Sequence, residues 1–103
     1  MKKRLIAYLG AVTVASTLSA SAVTTELALV IDGSGSINPA DFTTQQTGYV
    51  NALNTLITPS RYGEVAIGVW QFSTAVQLEQ TPIVINNAAD LATVTGAIAG
   101  MTQ

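Results

Sequence analysis

The 103-residue sequence contains no cysteine and no histidine. Without cysteine the fold has no disulfide and depends on its hydrophobic core alone. Without histidine the chain can form neither a Ser-His-Asp triad, nor a Cys-His dyad, nor a histidine-based zinc site. Enzymes that depend on these groups are therefore excluded, and we expect a binding function.

The first 22 residues have the three-part pattern of a bacterial-type secretory signal peptide. A basic start at residues 2–4 is followed by an apolar stretch over 5–15 and by an A-x-A cleavage pattern at 20–22. The apolar stretch of about 11 residues is shorter than the roughly 20 residues that a membrane-spanning helix needs. We predict cleavage after residue 22, a mature chain without a membrane span, and a protein that is secreted, periplasmic or on the cell surface.

Basic residues are scarce in the remaining chain. Three of the four lie in the signal segment. Residues 23–103 contain one basic residue, Arg61, and six acidic residues, which gives them a formal net charge of −5. A surface of this charge repels nucleic acid and anionic lipid, and it tolerates cations. We therefore expect no nucleic-acid partner.

One short segment combines several oxygen-bearing side chains. Asp32, Ser34 and Ser36 alternate with two glycines directly after the apolar run 27–31 and shortly before a helix-start signal at Asn38. A loop at the carboxyl end of a strand is where open α/β sheets bind their ligands. Hard oxygen ligands without histidine or cysteine suit Mg²⁺ or Ca²⁺ better than zinc or copper. We take these three residues as a candidate metal site.

The hydrophobic pattern predicts an α/β fold. A near-continuous apolar run predicts a strand over 26–32, buried on both faces, and a second strand of the same kind spans 64–72. Cap signals predict helices over 38–56 and 87–101. Residues 76–78 alternate as a short edge strand. This order indicates a layered domain with a largely parallel sheet, and the chain stops soon after a helix, so we expect the domain to be incomplete at its C-terminus.

Two apolar stripes at helical spacing predict which helix faces enter the core. In the strand over 64–72, one face carries alternate apolar residues and Gln71, and we expect Trp70 on the other face to be core as well. The predicted stripes are Phe42, Tyr49, Val50, Leu53, Leu56 and Ile57 in the first helix, and Leu91, Val94, Ile98 and Met101 in the second.

Three other interpretations of the loop remain open. Asp32 and the two serines could be ordinary turn residues whose side chains cap loop amides. The two glycines could let backbone amides approach a phosphate at a helix N-terminus, although no Walker lysine follows and Asn38 stands where the last glycine of a G-x-G-x-x-G motif belongs. A serine hydrolase fits least, because the nucleophile-elbow spacing and a histidine base are both missing.

Taken together, these segments resemble the von Willebrand factor type A (VWA) domain, in a secreted bacterial form. Asp32, Ser34 and Ser36 match the D-x-S-x-S motif of that family at the end of the first strand. Further matches are the helix around 46–53, the strand 64–69 followed by Trp-Gln-Phe-Ser at 70–73, and the helix 91–101. The resemblance covers residues 26–103 and implies a Rossmann-like three-layer sandwich, of which residues 23–103 are the N-terminal portion.

The resemblance also implies a function. The motif forms a metal-ion-dependent adhesion site in the family: Asp32 supplies a carboxylate, Ser34 and Ser36 supply hydroxyls, and an acidic group of a protein or matrix partner fills the open position. A threonine and an aspartate from later loops complete the family's site. Thr102 lies near the place of that threonine, but no Gly-Gly precedes it, and the aspartate is absent from this sequence.

With half of the ligand set, the chain should bind Mg²⁺, Mn²⁺ or Ca²⁺ only weakly, because Mg²⁺ gives up its waters reluctantly. The expectation from sequence is thus a metal-dependent adhesion module. The alternative is an exported structural or assembly module, or a non-functional fragment, that has the fold and binds no metal.

Overall fold

The computed structural model describes residues 23–103, so the predicted signal peptide lies outside the described residues. These residues form three strands, two α-helices and a short 3₁₀ turn at Pro59–Arg61. In chain order the main elements are β1 (Thr25–Asp32), α1 (Pro39–Leu56), β2 (Val65–Phe72), β3 (Val76–Val84) and α2 (Ala88–Ala99).

The three strands form one mixed sheet in the order β1-β2-β3. β1 and β2 are parallel, with Thr25 opposite Val65 and Asp32 opposite Phe72, and α1 makes the crossover that a parallel pair requires. β3 returns antiparallel to β2 and has irregular register on both sides of Val69. The α/β class is confirmed. The sheet of these residues is mixed, with one parallel and one antiparallel pair. The edge strand predicted over 76–78 is present and is longer than predicted, since it extends to Val84.

Both helices begin where the sequence predicts, and the reason is local. The Asn38 side chain accepts a hydrogen bond from the Asp41 amide at 2.9 Å, and Pro39 occupies the first turn. Asn87 caps α2 in the same way through the Asp90 amide at 2.8 Å. In each first turn an aspartate also faces the positive end of the helix dipole. Each cap thus satisfies an amide that the helix itself leaves unpaired.

The hydrophobic core lies between the helices and one face of the sheet. All four predicted positions of the second helical stripe are buried, as are three of the first stripe, Phe42, Leu53 and Ile57. The buried core residues are Ile31, Phe42, Leu53, Ile57, Val65, Ile67, Val69, Ile85, Leu91, Val94, Ile98 and Met101. Because alternate β2 residues belong to this cluster, α1 and α2 cover the same face of the sheet.

The opposite face of the sheet is open among the described residues, and two predictions of burial are wrong there. β1 was expected to be buried on both faces, yet Val30 is 51% exposed. Trp70 was expected in the core but is only half-buried, and its ring lies over Gly68 beside an apolar surface cavity of about 420 Å³. A third prediction of burial is wrong on α1 and not on this face: Leu56, at the end of the predicted stripe, is 65% exposed. These apolar side chains were predicted to be buried, but within residues 23–103 no helix or strand covers them.

Candidate metal site

The loop that carries Asp32, Ser34 and Ser36 is hydrogen-bonded to the carboxyl end of β2 and to itself. The Gly33 amide donates to the Phe72 carbonyl at 2.8 Å, which continues the β1–β2 ladder one step past the strand. The Ile37 amide donates to the Ser34 carbonyl at 3.0 Å and closes a turn directly before the cap of α1. The loop thus turns sharply at the carboxyl end of a parallel strand and leads straight into a helix.

The structure brings the three candidate residues together. Oδ1 of Asp32 accepts a hydrogen bond from the Ser34 amide at 2.9 Å. The hydroxyl oxygens of Ser34 and Ser36 are 3.2 Å apart. Asp32 and Ser34 are half-buried, and Ser36 is exposed. One carboxylate and two hydroxyls therefore stand side by side on one loop at the surface.

The electrostatics of the loop keep the carboxylate charged. The Ser34 hydroxyl, and after it the Ser34 amide, donate to Asp32 and lower the pKa of its carboxyl, outweighing a small opposing effect of desolvation. Hydrogen bonds to the charged form of a carboxylate have this effect. At neutral pH the loop therefore presents one negative charge next to two neutral oxygens.

Such a donor set fits a hard divalent cation that keeps most of its water. Within residues 23–103 no group of three or more histidine, cysteine, aspartate or glutamate side chains is placed to hold a metal ion. Asp32 is the single carboxylate of this loop, and the hydroxyls add no charge. Mg²⁺ and Ca²⁺ accept hydroxyl and water oxygens together with one or two carboxylates.

Three glutamines that the sequence analysis did not assign to the site contact this loop. Gln45 of α1 donates from Nε2 to the Asp32 carbonyl at 2.8 Å. Gln103 donates to the Ser34 carbonyl at 3.0 Å and to the carbonyl of Ile37. The third, Gln71 of β2, is buried beside Gly33. The only sequence signal for any of them was the inward position of Gln71 in an otherwise apolar strand face.

The segment after α2 lies beside the same loop. Gln46 of α1 donates to the carbonyls of Ile98 at 2.8 Å and Met101 at 3.0 Å, which holds the end of α2 against α1. The backbone carbonyl of Thr102 then accepts a hydrogen bond from Gln71 at 3.0 Å. The structure therefore brings Thr102 near the loop through its main chain, and its side chain is exposed.

Fold and site define an α/β domain with a polar loop at the carboxyl edge of its parallel strands. The chain belongs to a family described as "Protein of unknown function (DUF1194)", whose model matches residues 22–103. No curated protein matches it. In the part of the chain from residue 23 onward, neither helix has the length and apolar character needed to cross a bilayer.

Proposed function

We propose that this protein is a binding module with a VWA-like three-layer fold and a metal-ion-dependent adhesion site. Asp32, Ser34 and Ser36 hold Mg²⁺, Mn²⁺ or Ca²⁺, and an acidic group on a protein or matrix partner fills an open coordination position. The protein recognises its partner through the cation and is not an enzyme.

One observation carries this proposal: the oxygens of three side chains meet on one loop. Oδ1 of Asp32 accepts a hydrogen bond from the backbone amide of Ser34 at 2.9 Å, and the hydroxyl oxygens of Ser34 and Ser36 are 3.2 Å apart. The loop stands at the carboxyl end of β1, where open α/β sheets bind ligands. The parallel pairing of β1 with β2 through α1 is compatible with a Rossmann-like fold.

The same geometry explains why the binding should be weak and open to a partner. One carboxylate and two neutral hydroxyls replace few of the six oxygens that Mg²⁺ requires, and most of its waters stay. We expect dissociation constants in the millimolar range for these residues alone. The water-filled positions are available to a carboxylate of a partner, which then adds a second negative charge to the cation.

Export is the second part of the proposal. Removal of residues 1–22 as a signal peptide leaves one basic residue against six acidic ones. The mature protein would then carry net negative charge into the periplasm, the cell surface or the medium. That charge favours a cation-mediated contact with an acidic partner over direct contact, because two acidic surfaces repel each other.

The test is the affinity of the full chain for Mn²⁺, measured by calorimetry or from the electron paramagnetic resonance signal of Mn²⁺. Asp32→Asn keeps the oxygen that accepts the Ser34 amide but removes the charge, and it should weaken binding by at least about tenfold. Ser34→Ala and Ser36→Ala should weaken it less. Ser60→Ala is the matched control, because its hydroxyl also pairs with a neighbour, Thr58 at 2.9 Å, in a different turn.

A structural module without metal is the second candidate, and one observation favours it. The loop is already closed by protein hydrogen bonds, since Oδ1 of Asp32 accepts the Ser34 amide, as aspartates in ordinary turns do. On this account Asp32→Asn leaves both Mn²⁺ binding and folding unchanged. Equal Mn²⁺ affinity in the wild-type, Asp32→Asn and Ser60→Ala proteins would therefore decide for the structural module.

A further inference from the structure

Gln71 is the buried polar side chain of the core face, and it lies directly behind the loop. Its side chain is 5% exposed at the carboxyl end of β2. A buried amide is costly unless it is hydrogen-bonded. Nε2 donates to Oε2 of Glu79 on β3 at 3.0 Å and to the Thr102 carbonyl at 3.0 Å. Both N–H groups of the amide are thereby used.

These two bonds determine which way the amide faces. Both partners are acceptors, so the reversed amide would place its oxygen against two other oxygens. Glu79 is itself held by a second donor, Nε2 of Gln77 at 2.7 Å. The amide nitrogen of Gln71 therefore points towards Glu79 and Thr102, and its oxygen points towards Gly33.

The contact with Gly33 leaves no room for a side chain in the loop. A Cβ atom at Gly33 would lie 1.8 Å from Oε1, 2.6 Å from Cδ and 2.9 Å from Cγ of Gln71. A Cβ atom at Gly35, two residues further on, would meet nothing within 4 Å. Neither glycine has a positive φ, so the backbone at each position accepts alanine. Gly33 is buried against Gln71 and hydrogen-bonded to Phe72, whereas Gly35 is exposed and has open space beside it. An added methyl group therefore meets Gln71 at position 33 and no other atom at position 35.

We propose that Gln71 is a positioning residue for the Asp32–Ser36 loop. Anchored by Glu79 and by the Thr102 carbonyl, it packs beneath Gly33 and so sets the directions in which Asp32 and Ser34 leave the backbone. Glycine at position 33 is required because the amide of Gln71 occupies that space. The consequence for the loop is independent of any ligand, whereas the consequence for a cation rests on the proposed function.

The ligand-free test measures exchange of the Ser34 amide hydrogen by NMR in the full chain, with chelator present. This amide donates to Asp32, so its protection reports the shape of the loop. Gly33→Ala and Gln71→Ala should each reduce protection, and Gly35→Ala should leave it unchanged. The double variant Gly33→Ala/Gln71→Ala removes all three clashing atoms, and it should be no less protected than Gln71→Ala alone.

Several results would overturn this inference. One is equal protection of the Ser34 amide in Gly33→Ala and Gly35→Ala, and another is unchanged protection in Gln71→Ala. A third is a double variant whose loss of protection equals the sum of the losses in the two single variants. If Gly33→Ala does not fold while the double variant does, the clash with Gln71 is established. If neither folds, Gln71→Ala decides by itself.

The second measurement is Mn²⁺ affinity of the same variants. Loss of groups that hold metal ligands in place commonly weakens affinity by about 10-fold or more, and we expect this for Gly33→Ala and Gln71→Ala but not for Gly35→Ala. Wild-type protein that binds no Mn²⁺ would contradict the proposed function and leave the exchange test of Gln71 intact. Wild-type binding that survives unchanged in Gln71→Ala would contradict the positioning role alone.

Discussion

Leu53 and Leu56 lie one helical turn apart on α1, and the same substitution should have very different effects at the two positions. Leu53 is 5% exposed and belongs to the core cluster, whereas Leu56 is 65% exposed. Both were assigned to one apolar stripe on the basis of sequence. Replacing each by alanine therefore tests the burial that the structure assigns to the two residues.

The expected magnitudes differ severalfold. Leu53→Ala removes buried methyl groups and leaves a cavity, which lowers the free energy of unfolding by about 3 kcal/mol. Leu56→Ala removes atoms already in contact with water and should change it by no more than about 0.5 kcal/mol. Leucine and alanine have similar, high helix propensities, and any difference enters both variants equally.

The assay is urea denaturation followed by circular dichroism, supported by thermal melting. For a domain of this size each kcal/mol shifts the melting temperature by roughly 4–8 °C, so Leu53→Ala should melt at least about 12 °C lower, with the slope of the urea transition unchanged. Equal losses in both variants would refute the placement of α1 on the sheet. A larger loss for Leu56→Ala would show that another surface covers Leu56.

Three further predictions concern local features. Asn38→Ala should cost about 1 kcal/mol of unfolding free energy, measured in urea, because the Asp41 amide loses its cap; no loss would mean that water replaces the cap. In metal-free protein, the contribution of Asp32 to stability should be complete well above the ordinary aspartate pKa of about 3.9, and it should vanish as the pH falls through the lowered pKa of the folded state. In Asp32→Asn the free energy of unfolding should fall less steeply at acid pH than in the wild type. Curves of unfolding free energy against pH that run parallel for the two proteins would contradict this prediction. Finally, mass spectrometry of exported protein should give a chain that begins at Val23, and a retained Met1 would contradict cleavage.

Local patterns were enough to predict most of the elements. An asparagine followed three residues later by an aspartate marks the start of both helices, because a cap depends on a few consecutive residues. The spacing of Leu91, Val94 and Ile98 likewise identifies the buried face of α2, and all three are buried.

Burial on the open face could not be predicted in the same way. Val30 and Trp70 occur in apolar strands, and such strands are typical of central positions in a sheet. Whether a strand face is covered depends on which other elements pack there, and the strand itself carries no information about that. Within residues 23–103 both helices lie on one face, so these apolar residues stay exposed or half-exposed.

The candidate site was predictable only where its residues are adjacent in sequence. Asp32, Ser34 and Ser36 alternate along five residues, and a sharp turn after a strand brings them together. The contacts of Gln45 and Gln103 with the loop bridge 13 and 69 positions of sequence. Gln71 could be recognised as an inward-facing polar residue, but its partners Glu79 and Thr102 become visible only in the folded chain.

The most direct test of the metal site is a two-dimensional ¹H–¹⁵N NMR spectrum of the full chain with substoichiometric Mn²⁺. A bound Mn²⁺ broadens the signals of nearby amides, so the affected residues locate the ion. We expect the amides of residues 33–36 to broaden first and those of Gly63 and Gly96 to stay sharp. Asp32→Asn should abolish the effect. Broadening centred on another acidic residue, or none at residues 33–36, would contradict it.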